Sequence, residues 1–285
     1  MAENLFILKR RIKTATNITQ IAKAMEMISA SKIKKAQNMV ENNKPYAQKI
    51  SFLTQNIIAK ANLKDFTHLY INPQKTDKKL LIVLSPDKGL CGSLNTNLAK
   101  KLFELESRNT SLVTVGKKME RYVTRLNYDF VAAFTIGSNI PSYTLVFQLK
   151  KLINQYYLSG LVSEVVFLYT EFESIFIQFP KTITVLPIQK SEETTKDFSA
   201  LNANFLVEPG VYALLEALLP YYIETQIYSC LIESYTSEHA ARMVAMQNAK
   251  NNARDVAAYL TLRYNKTRQE RITSELLDLN NSQIV

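Results

Sequence analysis

GLCGS at 89–93 is the stretch of this 285-residue chain whose residue types come nearest to a phosphate-binding turn. It follows an apolar run and precedes a helical pattern, the place where dinucleotide folds hold phosphate on backbone N–H groups. The GxGxxG spacing is not met, so the stretch reads as a tight strand-to-helix turn carrying a small buried thiol. Gly116-Lys117 ends like a phosphate loop but lacks the upstream glycine, and Lys118 stands where the Ser or Thr hydroxyl belongs. His68 and His239 are isolated, and no Ser/His/Asp or Cys/His set can be assembled around them. His239, in SEHAARM, is expected to pack or hydrogen-bond, not to ligate or move protons. Cys91 and Cys230 are far apart and lack CxxC or Cys/His spacing, which predicts two buried reduced thiols and no zinc site. These residues predict no catalytic, metal or cofactor site.

Charge offers a different chemistry. Lys plus Arg number 35 against 25 Asp plus Glu, a net charge of +10 that favours acidic partners: nucleic acid, anionic lipid or an acidic protein surface. In ITQIAKAMEMISASKIKKAQ (18–37), Ile18, Ile21, Met25 and Ile28 recur at helical spacing, and the row runs on into Lys32 and Lys35. A core helix would not place lysines on its stripe, and a lone surface helix needs no stripe. Residue spacing leaves two readings open, a solvated basic face and a face that meets acidic partners. A nucleic-acid-binding coiled-coil protein is the alternative function, and it predicts steep salt dependence. Against it, the basic residues do not gather into one short block, and the C-terminal segment carries many acids. A dehydrogenase-like enzyme would need an acid after its second strand, where VGKKMER (115–121) has the wrong charge.

The elements that must carry these residues follow from punctuation. All six glycines lie between 89 and 210, so two long uninterrupted ends flank a punctuated middle. Apolar residues at 47% suffice for a core. The first end, 1–63, is helical from about Leu5, with Leu5, Leu8, Ile12, Ala15, Thr19 and Ala22 in a second row beside the first and a kink expected near Pro45. The last, 206–285, is helical from Glu208-Pro209-Gly210, with a kink expected at Pro220 and a ridge of Ala241, Ala245, Ala249, Ala253 and Ala257 that lets another helix approach closely. The two ends are predicted to form a long antiparallel coiled coil. The middle, 78–190, alternates strands (79–85, 111–116, 129–135, 164–172, 182–188) with helices (95–106, 117–126, 141–158), which predicts a doubly wound, mostly parallel α/β domain of Rossmann-like type. Residues 191–204 read as a polar connector. No run approaches the roughly 18 apolar residues of a membrane span, and no apolar segment follows the early basic residues. A soluble intracellular chain is expected, one that could sit on a membrane-bound assembly.

Three stretches carry a resemblance to the gamma subunit of the F-type ATP synthase: RRIKTATNITQIAKAMEMISASKIKKAQ (10–37), DKGLCGSLNTNL (87–98) and SEHAARMVAMQNAKNNARDVAAYLTLRYNKTRQERITSELLDL (237–279). The resemblance covers essentially the full length. Lys88 stands where Arg is expected and Ser93 where Gly is usual, both outside the coiled coil. It implies a central-stalk rotor, with the terminal helices as a shaft inside three alpha and three beta subunits. A foot would rest on the membrane c-ring beside epsilon, with no bond chemistry and no cofactor. It also implies a peripheral location on the cytoplasmic face of the bacterial inner (plasma) membrane, with membrane contact only through the c-ring and no nucleic-acid partner. Site residues follow from the same source. Lys32, Lys34 and Lys35 would meet acidic beta-subunit segments, with Met25 at a neighbouring contact, while Arg268, Gln269 and Thr273 in TRQERIT match the family's upper beta-subunit contact. Phe205 and Glu208 match its c-ring contact. Glu270 and Arg271 stand where smaller residues are usual, and the tail 275–285 would lie in an apolar sleeve.

Overall fold

The structure, a computed structural model, describes residues 4–60, 68–72, 76–105, 109–123, 128–137, 139–188, 208 and 210–282, the side chains of 59, 60 and 278–282 excepted. In chain order the elements are α1 (Leu5–Lys60), β1 (Lys79–Leu84), α2 (Leu94–Glu104), β2 (Thr110–Val115), α3 (Lys117–Val123), β3 (Asp129–Phe134), α4 (Tyr143–Leu158), β4 (Glu164–Phe172), β5 (Gln178–Leu186) and α5 (Val211–Ser282). The chain divides into two units, Met1–Ser31 with Arg242–Val285, and Lys32–Ala241. The helix assignment runs through Pro45 in α1 and through Pro220 in α5 without a break. α5 begins at Val211, three residues after the expected start at Glu208, and Pro209 lies outside the described residues.

In the first unit two helical segments run in opposite directions. Glu26 of α1 pairs with Lys250 of α5 at 2.7 Å, while Asn4 and Leu5 line one groove with Tyr259 to Ser274. The buried residues of α1 here are Leu8, Ala15, Ala22 and Ser29, seven apart, with Leu5, Ile12, Thr19 and Glu26 half-buried between them. That alternation of threes and fours is the seam of a coiled coil. On α5 Ala245, Ala249, Ala253 and Ala257 are half-buried and Met246 is buried. Small residues facing small residues let the backbones approach, so only one row fits between the helices. The row Ile18, Ile21 and Ile28 is therefore outside, 47%, 61% and 58% exposed. The broad two-row stripe expected from sequence is one packed row and one solvent-facing row.

The second unit holds the sheet, in the order β3-β2-β1-β4-β5, parallel throughout except that β5 runs antiparallel to β4. Both faces are covered, as a parallel sheet requires. Leu80, Ile82 and Leu84 point to one face, against Val146, Leu149 and Ile153 of α4 and Leu215, Leu219 and Ile223 of α5. Leu81 and Val83 point to the other, against Leu98 and Leu102 of α2 and Met119 of α3. The predicted strands and helices of the middle domain all form, within a few residues. β5 starts four residues before its expected beginning and takes in Pro180, which an edge strand tolerates. Gly116, at the end of β2, has φ +105°, and a Cβ there would lie 1.8 Å from the Ser85 carbonyl oxygen. Only glycine fits where strands β1 and β2 end this close together.

Candidate functional site

The turn after β1 spends its polar groups on holding itself. Ser85 Oγ donates to the Gly116 carbonyl at 3.0 Å and accepts from the Met119 N–H at 3.3 Å. The Asp87 carboxylate accepts from the Lys117 N–H at 3.1 Å and the Gly137 N–H at 2.7 Å, so a built-in anion occupies the start of α3. Cys91 is a buried thiol outside any disulfide, and its sulfur accepts from Asn95 Nδ2 at 3.1 Å. Leu90, at φ 65°, and Gly92, at φ 58°, make the sharp turn into α2. Cys230 is also a buried free thiol, its pKa pushed up chiefly by burial. His239 is buried with its ring edge-on to Tyr235, centroids 4.5 Å apart. His68 Nδ1 accepts from the Tyr70 N–H at 3.2 Å, and partial burial lowers its pKa. Among the described residues no three His, Cys, Asp or Glu side chains are placed to share a metal ion. No helix among them is long and apolar enough to cross a membrane.

The basic face of α1 has a different character. Glu26 is the one acid between positions 4 and 40, against eight lysines and arginines there. Its carboxylate is engaged by Lys250 of α5. Lys34 and Lys35 are exposed and make no ion pair among the described residues, while Lys32 and Met25 are half-buried. The four are not equivalent, because two project freely and two rest partly on the helix packing. Beside Met25 the apolar side chains of Ile21, Met27 and Ile28 are exposed.

Near the end of α5, Arg268, Gln269 and Thr273 are all exposed. Thr273 Oγ1 donates back to the Gln269 carbonyl at 2.9 Å, which holds its side chain against the helix. Glu270 and Arg271 are matched one turn away, by Lys266 at 4.0 Å and Glu275 at 2.8 Å. These local pairs leave Arg268 as a guanidinium with no ion pair among the described residues. The helix continues to Ser282, so most of the expected tail is helical, and 283–285 lie outside the described residues. Glu208 is exposed. Phe205 and the connector 191–204 lie outside the described residues.

Sequence reasoning missed a polar layer on α5, where Ser234, Thr236, Ser237, Glu238 and His239 are all buried. Ser237 Oγ donates to the Thr170 carbonyl of β4 at 3.1 Å and ties the helix to the sheet. The only signal in sequence was the run YTSEH itself, too polar for an interior helix turn and too short of glycine for a loop.

Known proteins match along nearly the whole chain. The model of the ATP synthase family matches residues 4–282. The ATP synthase gamma chain of Dehalococcoides mccartyi strain BAV1 is 37% identical over 97% of this chain and 96% of its own length. That of Symbiobacterium thermophilum is 36% identical over 98% and 97%. Among solved structures, the rotor of the Euglena gracilis mitochondrial ATP synthase aligns with a TM-score of 0.65 at 17% identity, covering 94% of this chain and 98% of that one. The central stalk and c-ring of the Tetrahymena thermophila enzyme gives a TM-score of 0.59 at 23% identity, over 80% and 99%. These two show a shared fold. With a family model and relatives above a third identity spanning both terminal helices and the sheet between them, the chain belongs to the ATP synthase gamma chain family.

Proposed function

We propose that this chain is the central-stalk rotor of its ATP synthase, turning with the c-ring and driving the three catalytic sites of an alpha–beta ring through their conformations, with no bond chemistry of its own. The observation that carries the reading is the pairing in the first unit. Two antiparallel helical segments lock through a small-residue seam and one half-buried ion pair, while their outer faces stay basic and apolar. A shaft needs that division. Its inside must be stiff, and its outside must make contacts that can be exchanged from one partner surface to the next. Exposed ion pairs, worth about 0–1 kcal/mol each, suit this exchange. Lys34 and Lys35, with Met25 and Lys32 beside them, are assigned to contacts with acidic beta-subunit segments. Arg268, Gln269 and Thr273 are assigned to the upper beta-subunit contact, where Arg268 offers a charge-assisted hydrogen bond to a carboxylate. Glu208 and Phe205 are assigned to the foot on the c-ring, beside epsilon. The assembly places the chain at the cytoplasmic face of a bacterial inner membrane, touching lipid only through the c-ring. The test is co-purification of the tagged chain with its native neighbours. Alpha and beta subunits should appear at three copies each per tagged chain, and their absence would overturn the reading.

A further inference from the structure

A cavity of about 230 Å³ lies inside the second unit, where α1, α5 and the β4–β5 edge of the sheet converge. Its volume equals that of about eight waters at roughly 30 Å³ each, enough for a small organic molecule. Its inner wall is Ala47, Cys230 and Ile232, all buried, with Tyr169 and the Glu233 carboxyl. Its rim carries Lys44 and Gln48 of α1 and Lys181 of β5, all exposed. Glu171 also lines it and is paired with Lys181, so the lining holds the Glu233 acceptor inside and Lys44 as the cation at the mouth with no ion pair among the described residues.

Glu233 is the anomaly. One carboxyl oxygen, Oε2, is enclosed and has no hydrogen-bond partner among the described residues. Leaving a buried acceptor unpaired is costly, and more so when it is charged. The carboxyl hydrogen-bonds the Tyr169 hydroxyl, but Lys181, the nearby cation on the sheet, is already paired with Glu171 at 2.6 Å. Asn43 Nδ2 donates one of its two hydrogens to Ser229 Oγ at 2.7 Å. Nothing in the contact surface assigned to the rotor uses these groups.

We propose that this cavity is a binding site for a small zwitterion of amino-acid size, its ammonium donating to Glu233 and its carboxylate meeting Lys44 at the rim. Such a ligand touches α1, α5 and the sheet at once, and it braces the second unit where the terminal helices leave the sheet. The proposal stands apart from the rotor reading and does not depend on it.

Equilibrium dialysis of the purified full chain with labelled γ-aminobutyrate tests it, with butylamine and the N-trimethyl form of γ-aminobutyrate as competitors. The expected result is saturable binding of one molecule per chain. The trimethyl form should fail to compete because it has no donor, and butylamine should compete weakly because it has no carboxylate. Glu233→Gln, which keeps the shape, should weaken binding at least about tenfold, the loss expected when a charge-assisted hydrogen bond becomes a neutral one. Lys44→Gln, at an exposed position that leaves the core untouched, should weaken γ-aminobutyrate and leave butylamine unchanged. Absence of saturable binding to the native chain overturns the proposal. So does equal binding by Glu233→Gln, or equal competition by the trimethyl form.

Discussion

Lys34 and Lys35 differ from the other positions singled out on α1 because nothing among the described residues engages them. If they meet acidic segments on the alpha–beta ring, replacing both by Ala should weaken association of this chain with that ring by about 0.4–2 kcal/mol in all, at 0.2–1 kcal/mol per exposed pair. A titration of the ring with each protein would show it at low ionic strength, and the difference should vanish near 1 M salt, where the Debye length is about 3 Å. Glu233 makes a second residue-level prediction. Burial, and then the Glu171 carboxylate, raise its pKa, while Lys181, Lys44 and the Tyr169 hydrogen bond act the other way; Cys230 completes the titratable lining. A carboxyl with a raised folded pKa binds its proton more tightly in the folded chain. Its contribution is therefore favourable at low pH and is lost as pH rises from the ordinary carboxylate range through the folded value. Glu233→Gln should raise the unfolding midpoint of the chain at neutral pH, and the gain should disappear below about pH 4, where the carboxyl is protonated in both states. A gain that persists at low pH would show that the carboxyl's charge is not its source. None of this was legible in the sequence, because Tyr169, Glu171 and Lys181 stand far from Glu233 along the chain and meet it only through the fold.

At the scale of elements, most of the architecture was legible, and for identifiable reasons. β1, β2 and β4 are apolar runs bounded by polar residues, and the absence of glycine outside 89–210 announces both long helices. Two differences have physical causes. The strand expected from 182 begins at Gln178 and takes in Pro180, since a proline that would break a central strand is harmless on an edge. The sequence shows two adjacent apolar rows on α1, but periodicity says which residues share a face, not how much room the partner helix leaves. Ala15, Ala22 and Ser29 leave almost none. Ala22→Leu should therefore cost the chain about 1–3 kcal/mol through overpacking, whereas Ile21→Ala, one residue along, should change stability by less than about 0.5 kcal/mol. Urea unfolding of both variants checks the contrast, and equal losses would mean that the seam has been placed on the wrong face.

For the whole molecule, the division into two units sets what can be removed without collapse. The sheet and its two apolar layers lie wholly within Lys32–Ala241, and Arg268, Gln269 and Thr273 lie wholly within the other unit. Deleting 268–285 should weaken torque or coupling in the assembled enzyme while leaving the cooperative unfolding of the sheet domain in place. Full coupled activity after the deletion would make the assigned upper contacts dispensable.

The seven-residue recurrence of Leu8, Ala15, Ala22 and Ser29 has a mechanical corollary. An α-helix has 3.6 residues per turn, so a repeat of seven obliges two strands to wrap around each other in a left-handed sense. A rope with a hand answers torque unequally. Twist applied with its lay tightens the wrap and presses the alanines together, whereas twist against it opens the lay. A shaft built this way is stiffer when driven in one direction than in the other.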